Sequence, residues 1–256
     1  MTRVLPCTDR GAGPAVLLVH GFALDGRAWQ PQIAEFERDH RVVTVDLPGF
    51  GPRPAKEGPG TSDARAALDV LDALGIDRAH VVGHSLGGAV AFDLALAFPR
   101  RLMSLTLVDA LLRGKPHGIA AWSRCAELAR SGRQSEAIDV WLADPLFGAA
   151  VSLAAVADQL RAIVADYGGA HWRGEANTRF EHAEPPGVRL AEVRAPALVI
   201  VGDRDLPTFR AMSDEYAAAL PDARKVVIAG SGHCPNLEAP ARFNAALRGF
   251  LIPART

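Results

Sequence analysis

The chain has 256 residues, 49% hydrophobic and 22% charged, with 28 Lys and Arg against 29 Asp and Glu for a formal net charge of −1. That balance suits a soluble globular fold with a large core, and it offers no electrostatic footprint for nucleic acid or an anionic membrane surface, so neither partner is expected. No stretch reaches the ~20 apolar residues of a spanning helix, and the start of the chain lacks the basic and apolar regions of a signal peptide, so a cytoplasmic protein is expected.

In chain order, strand and helix signals alternate. Ala15 to His20 is a short β-rich run, Gly26 to His40 is helical in pattern, and Arg41 to Val45 is a second apolar strand ending at Asp46. Four prolines and four glycines between Leu47 and Gly60 exclude regular structure there. Thr61 or Ser62 then caps a helix whose Leu68, Leu71 and Leu74 share a face, and Gly75 stops it. His80 to Val82 is a strand, Ala89 to Phe98 a helix ended by Pro99, and Leu102 to Val108 another strand. The alternation predicts an α/β fold with a mostly parallel central sheet and helices on both faces.

Between Ala110 and about Arg189 the strands stop. Helical patterns run over His117 to Ser131, Gln134 to Ala143 and Ala149 to Tyr167, and three of the four tryptophans fall here, marking an inserted helical unit. Strands resume at Ala197 to Val201 and Lys225 to Ile228, with helices over Thr208 to Leu220 and Pro240 to Leu251. The predicted organisation is a core of residues 1–110 and 190–256 and a helical cap of residues 111–189.

One stretch carries chemistry: Val81-Val82-Gly83-His84-Ser85-Leu86-Gly87-Gly88, a strand, a sharp turn and a helix start. A serine at such a turn is held in a strained backbone conformation with its hydroxyl exposed, and the glycines let strand and helix approach closely. The two late strands end in Gly202-Asp203-Arg204-Asp205 and Gly230-Ser231-Gly232-His233. Ligands bind at the carboxyl ends of strands in open α/β sheets, so Ser85, Asp205 and His233 can meet although they are distant in sequence.

That order of Ser, Asp and His, with the elbow and an early His20-Gly21-Phe22, resembles the α/β-hydrolase superfamily over nearly the whole chain. It is most similar to the small cap-bearing serine hydrolases, a group of carboxylesterases, lactonases and carbon–carbon bond hydrolases, whose loop type appears as Val45-Asp46-Leu47-Pro48-Gly49-Phe50-Gly51. The resemblance implies Ser85 as nucleophile, His233 as general base and then acid, Asp205 as the carboxylate orienting the imidazole, and the backbone N–H groups of Phe22 and Leu86 as oxyanion hole. Asp205 lies three residues after Gly202, the usual place of the family's acid; Asp203 reads as a turn residue. Asp109, at a position some relatives use for their acid, reads more simply as a strand-end residue. The chain departs from the group at Pro52-Arg53-Pro54 and Lys56-Glu57-Gly58.

The implied substrate is a small, largely apolar carboxylic ester or lactone cleaved through an acyl-serine, with Trp122 and Trp141 of the cap as candidate pocket walls. A carbon–carbon hydrolase or lyase would keep the same triad but bring an arginine such as Arg113 or Arg124 to face a ketone and carboxylate substrate, and a receptor would use the pocket without catalysis. No cofactor is expected, since the chain has no G-x-x-x-x-G-K and no strand leading into G-x-G-x-x-G. No metal is expected either: the eight histidines contain no H-E-x-x-H. Cys7, Cys125 and Cys234 form no C-x-x-C and read as free thiols, with Cys234 a packing neighbour of His233.

Overall fold

The computed structural model describes residues 4–52, 61–177 and 189–251. The strands are β1 (Cys7–Arg10), β2 (Ala15–Val19), β3 (Arg41–Val45), β4 (Ala79–His84), β5 (Leu102–Val108), β6 (Ala197–Gly202) and β7 (Ala223–Ile228), in one sheet of order β1-β3-β2-β4-β5-β6-β7. From β3 to β7 across the sheet every pairing is parallel, and only β1 runs antiparallel, against β3. Strands buried on both faces read as continuous apolar runs, which is why β2, β4 and β6 were legible. The Cys-Thr-Asp-Arg of β1 has no such run and lies exposed at the sheet edge, held by a Thr8–Thr44 hydroxyl bond of 2.7 Å and an Arg41–Asp9 ion pair of 2.7 Å.

The helices are α1 (Gln30–Phe36), α2 (Asp63–Ala73), α3 (Leu86–Ala97), α4 (Trp122–Arg130), α5 (Gln134–Leu142), α6 (Gly148–Val151), α7 (Ala154–Ala165), α8 (Ala170–Arg173), α9 (Pro207–Ala219), α10 (Pro235–Glu238) and α11 (Pro240–Leu251). Alternate strand residues point to opposite faces. Val16 and Leu18 therefore pack with Ile33 and Phe36 of α1 and with Phe243 and Leu247 of α11, while Leu17 and Val19 pack with α2, α3 and α9. Ser62 caps α2 by accepting the Arg65 N–H at 3.0 Å, as its position predicts.

Helices α4 to α8 occupy the segment between β5 and β6 where strand signals stop. The helix expected over 117–131 starts only at Trp122, because Pro116 and Gly118, the latter at φ +73°, precede it. The helix expected over 149–167 is two, broken at Ser152 and Leu153: the Ser152 hydroxyl donates to the Ala149 carbonyl at 2.6 Å, and Leu153 is extended. The departure at Arg53, Pro54, Lys56, Glu57 and Gly58 and the last part of the expected cap, residues 178–188, lie outside the described residues.

Candidate active site

Ser85 sits between β4 and α3 with φ +51° and ψ −115°, a region a non-glycine residue occupies only when its surroundings force it there. The glycines around it are explained by close approach. A Cβ on Gly83 would lie 2.2 Å from the Gly87 carbonyl oxygen, and one on Gly87 would lie 2.4 Å from the His20 carbonyl oxygen. The turn is further tied to β5, since the Ser85 N–H donates to the Val108 carbonyl at 2.9 Å and the Leu111 N–H to the Ser85 carbonyl at 3.0 Å.

Three strand ends bring the predicted residues together. His233 Nε2 is 2.9 Å from Ser85 Oγ, and His233 Nδ1 is 2.8 Å from Asp205 Oδ2. All three are buried. Burial pushes the Asp205 carboxyl up, but the charge of His233 and its hydrogen bond outweigh that and hold it below the ordinary carboxylate value. The other Asp205 oxygen accepts the Leu206 N–H at 2.6 Å. Asp203 is occupied elsewhere, accepting the Gly230 N–H at 2.7 Å in an exposed turn.

The loop carrying His233 is clamped from both sides. Glu238 of α10 accepts the N–H groups of Gly232 at 2.5 Å and Cys234 at 2.9 Å, and His84 Nε2–H donates to the His233 carbonyl at 2.7 Å. Neither contact was legible in the sequence, where α10 is too short to give a periodic pattern. Burial pushes the Cys234 thiol well above its ordinary value, so it stays an un-ionised packing neighbour.

Burial lowers His84 to about 3 and His171 to about 4, from 6.5 in the free side chain. On acidification the unfolded chain therefore binds protons before the folded one. The stability these neutral histidines confer is complete above pH 6.5 and is lost as pH falls from there toward 4, by on the order of a few kcal/mol. His84→Gln, which keeps an N–H donor for the His233 carbonyl, is expected to make the loss of unfolding free energy between pH 7 and 4.5 shallower; an unchanged slope would remove His84 from this role.

A cavity of about 300 Å³ opens on Ser85, with Phe22 and Leu86 beside it and Leu111, Ile119, Trp122 and Phe209 as apolar walls. Leu86 opens α3, so its N–H has no acceptor within the helix. Trp122 lies at the wall, whereas Trp141, the other candidate, does not: its ring is buried behind Phe22 and Trp122, at 5.4 and 6.1 Å between centroids, and against Phe147 and Trp172. The polar side chains at the wall, missed from sequence, are His117, His171 and Asn177. They come from irregular or four-residue helical segments that no periodicity marks. Burial lowers His117 as well, so both histidines are neutral near pH 7. Arg113 is directed to Asp93 at 3.6 Å and Arg124 pairs with Glu127 at 2.7 Å, and neither is among the described lining residues.

A histidine bridging a strained serine and an aspartate thus lies at the carboxyl ends of the strands of a mostly parallel sheet, where open α/β folds bind their ligands. Residues 16–246 match the model of the alpha/beta hydrolase family, and the chain belongs to that family. It is 34% identical over 249 residues, covering 91% of this chain and 90% of the relative, to a protein of Escherichia coli O7:K1 (strain IAI39) provisionally named carbamate hydrolase RutD. Among solved structures it is similar to Est816, described as an N-acyl homoserine lactone degrading enzyme, with 29% identity, a TM-score of 0.75 and 96% of each chain covered. It is also similar to a thermophilic esterase from Thermogutta terrifontis, with 28% identity, a TM-score of 0.80, and 96% of this chain and 92% of the other covered.

Proposed function

We propose that this protein is a serine hydrolase that cleaves a small, largely apolar carboxylic ester or lactone through an acyl-serine intermediate. The observation that carries the proposal is the chain of contacts from Ser85 Oγ to His233 Nε2 and from His233 Nδ1 to Asp205, opening on a cavity whose described lining carries no Asp, Glu, Lys or Arg. The serine hydroxyl attacks the carbonyl carbon as His233 Nε2 takes its proton, and the Asp205 charge stabilises the imidazolium. The developing oxyanion is received by the N–H groups of Leu86 and Phe22, each worth ~3 kcal/mol of barrier. His233 then protonates the leaving alcohol, and water repeats the sequence to release the acid. The helices between β5 and β6 act as the cap, about residues 111–189, that excludes water and shapes the acyl pocket.

A carbamate is a second reading, favoured by the relatives that carry that name and compatible with a wall that supplies neutral polar groups. Carbon–carbon cleavage of a ketone and carboxylate substrate is less well supported, since the described lining holds no arginine or lysine to receive the carboxylate. A hydrolysis screen over neutral esters of increasing acyl length, lactones, carbamates and a vinylogous diketone carboxylate, with Ser85→Ala as control, tests the reading. Ester or lactone turnover that the variant lacks is expected; turnover of the diketone alone would overturn it.

The two tryptophans should separate. Trp122→Ala is expected to raise the kcat/KM ratio of a bulky ester over an acetate ester about tenfold, the scale of ~1–3 kcal/mol per lost pocket contact. Trp141→Ala should leave that ratio unchanged and lower Tm by roughly 6–20 °C, as expected when a buried Trp worth ~3–5 kcal/mol is removed from a chain of this size. Measuring both quantities on both variants decides the assignment, and an altered ratio in Trp141→Ala with Tm intact would reverse it.

A further inference from the structure

Among the described residues, Asp109 is a buried carboxyl beside the triad to which the mechanism above gives no part. It follows β5, is fully buried, and has φ +41°, a second strained non-glycine residue within the same site as Ser85. Its N–H donates to the Ile200 carbonyl at 2.9 Å, and its Oδ1 accepts the Gly202 N–H at 3.0 Å, so it bolts the end of β5 to the end of β6. Oδ2 is different. It is buried with no N–H or hydroxyl donor to accept from among the described residues, and the Asp109 carboxyl lies beside that of Asp205, with an oxygen of each within 4.8 Å of the other. Two carboxylate oxygens cannot face each other in a buried site unless one of them carries a proton.

We propose that Asp109 is a positioning residue of the catalytic site, a carboxylic acid that stays protonated at neutral pH and donates its O–H to Asp205, so that the pair presents a single negative charge to His233. The inference rests on the reading of Ser85, His233 and Asp205 as a hydrolytic triad. The assignment of the proton follows from the surroundings. Asp205 already accepts from His233 and Leu206, which favours its charged form, whereas among the described residues Asp109 accepts from Gly202 alone. Burial, then the Asp205 charge, pushes the Asp109 carboxyl well above its ordinary value, and Glu238 adds in the same direction. Among the described residues, the other titratable neighbours of the pair are the Cys234 thiol, held un-ionised by burial, and His84, held neutral by burial. One nitrogen or oxygen from each of Asp109, Asp205 and His233 lies within 4.8 Å of the other two, but the 2.8 Å between His233 Nδ1 and Asp205 is the spacing of a shared proton rather than of two ligands around a cation.

The arrangement has a catalytic consequence. Two negative charges behind His233 would favour its protonated form and remove the base that Ser85 needs, whereas one charge with a donated hydrogen bond stabilises the imidazolium only as it forms. The Asp109 proton stays in place through the cycle, and the proton taken from Ser85 rests on His233. The donated bond also keeps Asp205 a weak base, so that Asp205 does not capture that proton.

The test uses two substitutions and one spectroscopic measurement. Asp109→Asn retains an oxygen for the Gly202 N–H and places an N–H on Asp205, so kcat/KM should stay within about threefold of the parent, less than the worth of one hydrogen bond to a charged group, with the acid limb of its pH profile unmoved. Asp109→Ala removes the donor and should lower kcat/KM roughly ten- to a hundredfold while moving the acid limb to higher pH. The infrared difference spectrum of parent minus Asp109→Asn near pH 7 should contain the carbonyl stretch of a protonated carboxyl. That readout needs no turnover, so it stands or falls apart from the hydrolytic reading and also serves if Asp109→Ala does not fold. A crippled Asp109→Asn, a carboxylate signature in the difference spectrum, or an Asp109→Ala that loses only thermal stability would each overturn the proposal.

Discussion

Ser85→Ala is expected to lower kcat by roughly 10⁴- to 10⁶-fold on any ester the protein turns over, leaving only the rate that substrate binding and the oxyanion donors sustain. Among the described residues no side chain is placed to replace it as nucleophile. Cys234 is buried and un-ionised, and Leu86 and Phe22, the neighbours of Ser85 at the cavity, have apolar side chains. The loss should appear in kcat rather than KM, because Ala removes no wall of the pocket and keeps the same Cβ, so the strain at φ +51° is unchanged. Thermal unfolding should therefore shift little, and rates measured under saturating substrate should carry nearly the whole effect. A variant within tenfold of the parent would place the covalent step elsewhere.

Asp205→Asn is expected to lower kcat by about 10⁴-fold, for a reason specific to the hydrogen bonds around it. The Leu206 N–H at 2.6 Å requires an oxygen at Oδ1, so the amide nitrogen of an Asn must face His233 Nδ1. Nδ1 is then forced to accept, the imidazole proton moves to Nε2, and the ring can no longer take a proton from Ser85. Asp203→Asn should cost almost nothing by comparison, since Asp203 serves an exposed turn. Asp109→Asn, chemically the same change a few ångströms away, should also be mild, because there the amide replaces a proton donor rather than an acceptor. Comparing the three variants on one substrate distinguishes a charge that catalysis needs from a carboxyl that must be neutral and from one that is structural.

What could be read from the sequence followed from rules with a strong physical basis. The bounds of β3 and β5 coincide with the expected ones because both are apolar runs bounded by turn residues. Ser85, Asp205 and His233 converge because each lies at the carboxyl end of its strand in a sheet whose parallel order follows from strand and helix alternation. Features that depend on pairing in space were hidden. β1 has no pattern of its own, and becomes a strand only by pairing with β3. Trp122 and Trp141 are alike in a helical pattern, and only the packing of α4 on α5 turns one toward the cavity and the other behind it. Asp109 reads as a strand end until β5 and β6 are set side by side and its carboxyl meets Asp205.

The proposed hydrolysis requires that Ser85 form a covalent acyl bond. Incubation with a fluorophosphonate, followed by intact mass measurement and peptide mapping, tests it most directly. One adduct per chain is expected, located on Ser85 and abolished in Ser85→Ala. A labelled residue other than Ser85, or turnover of esters by a chain that takes no label, would contradict it.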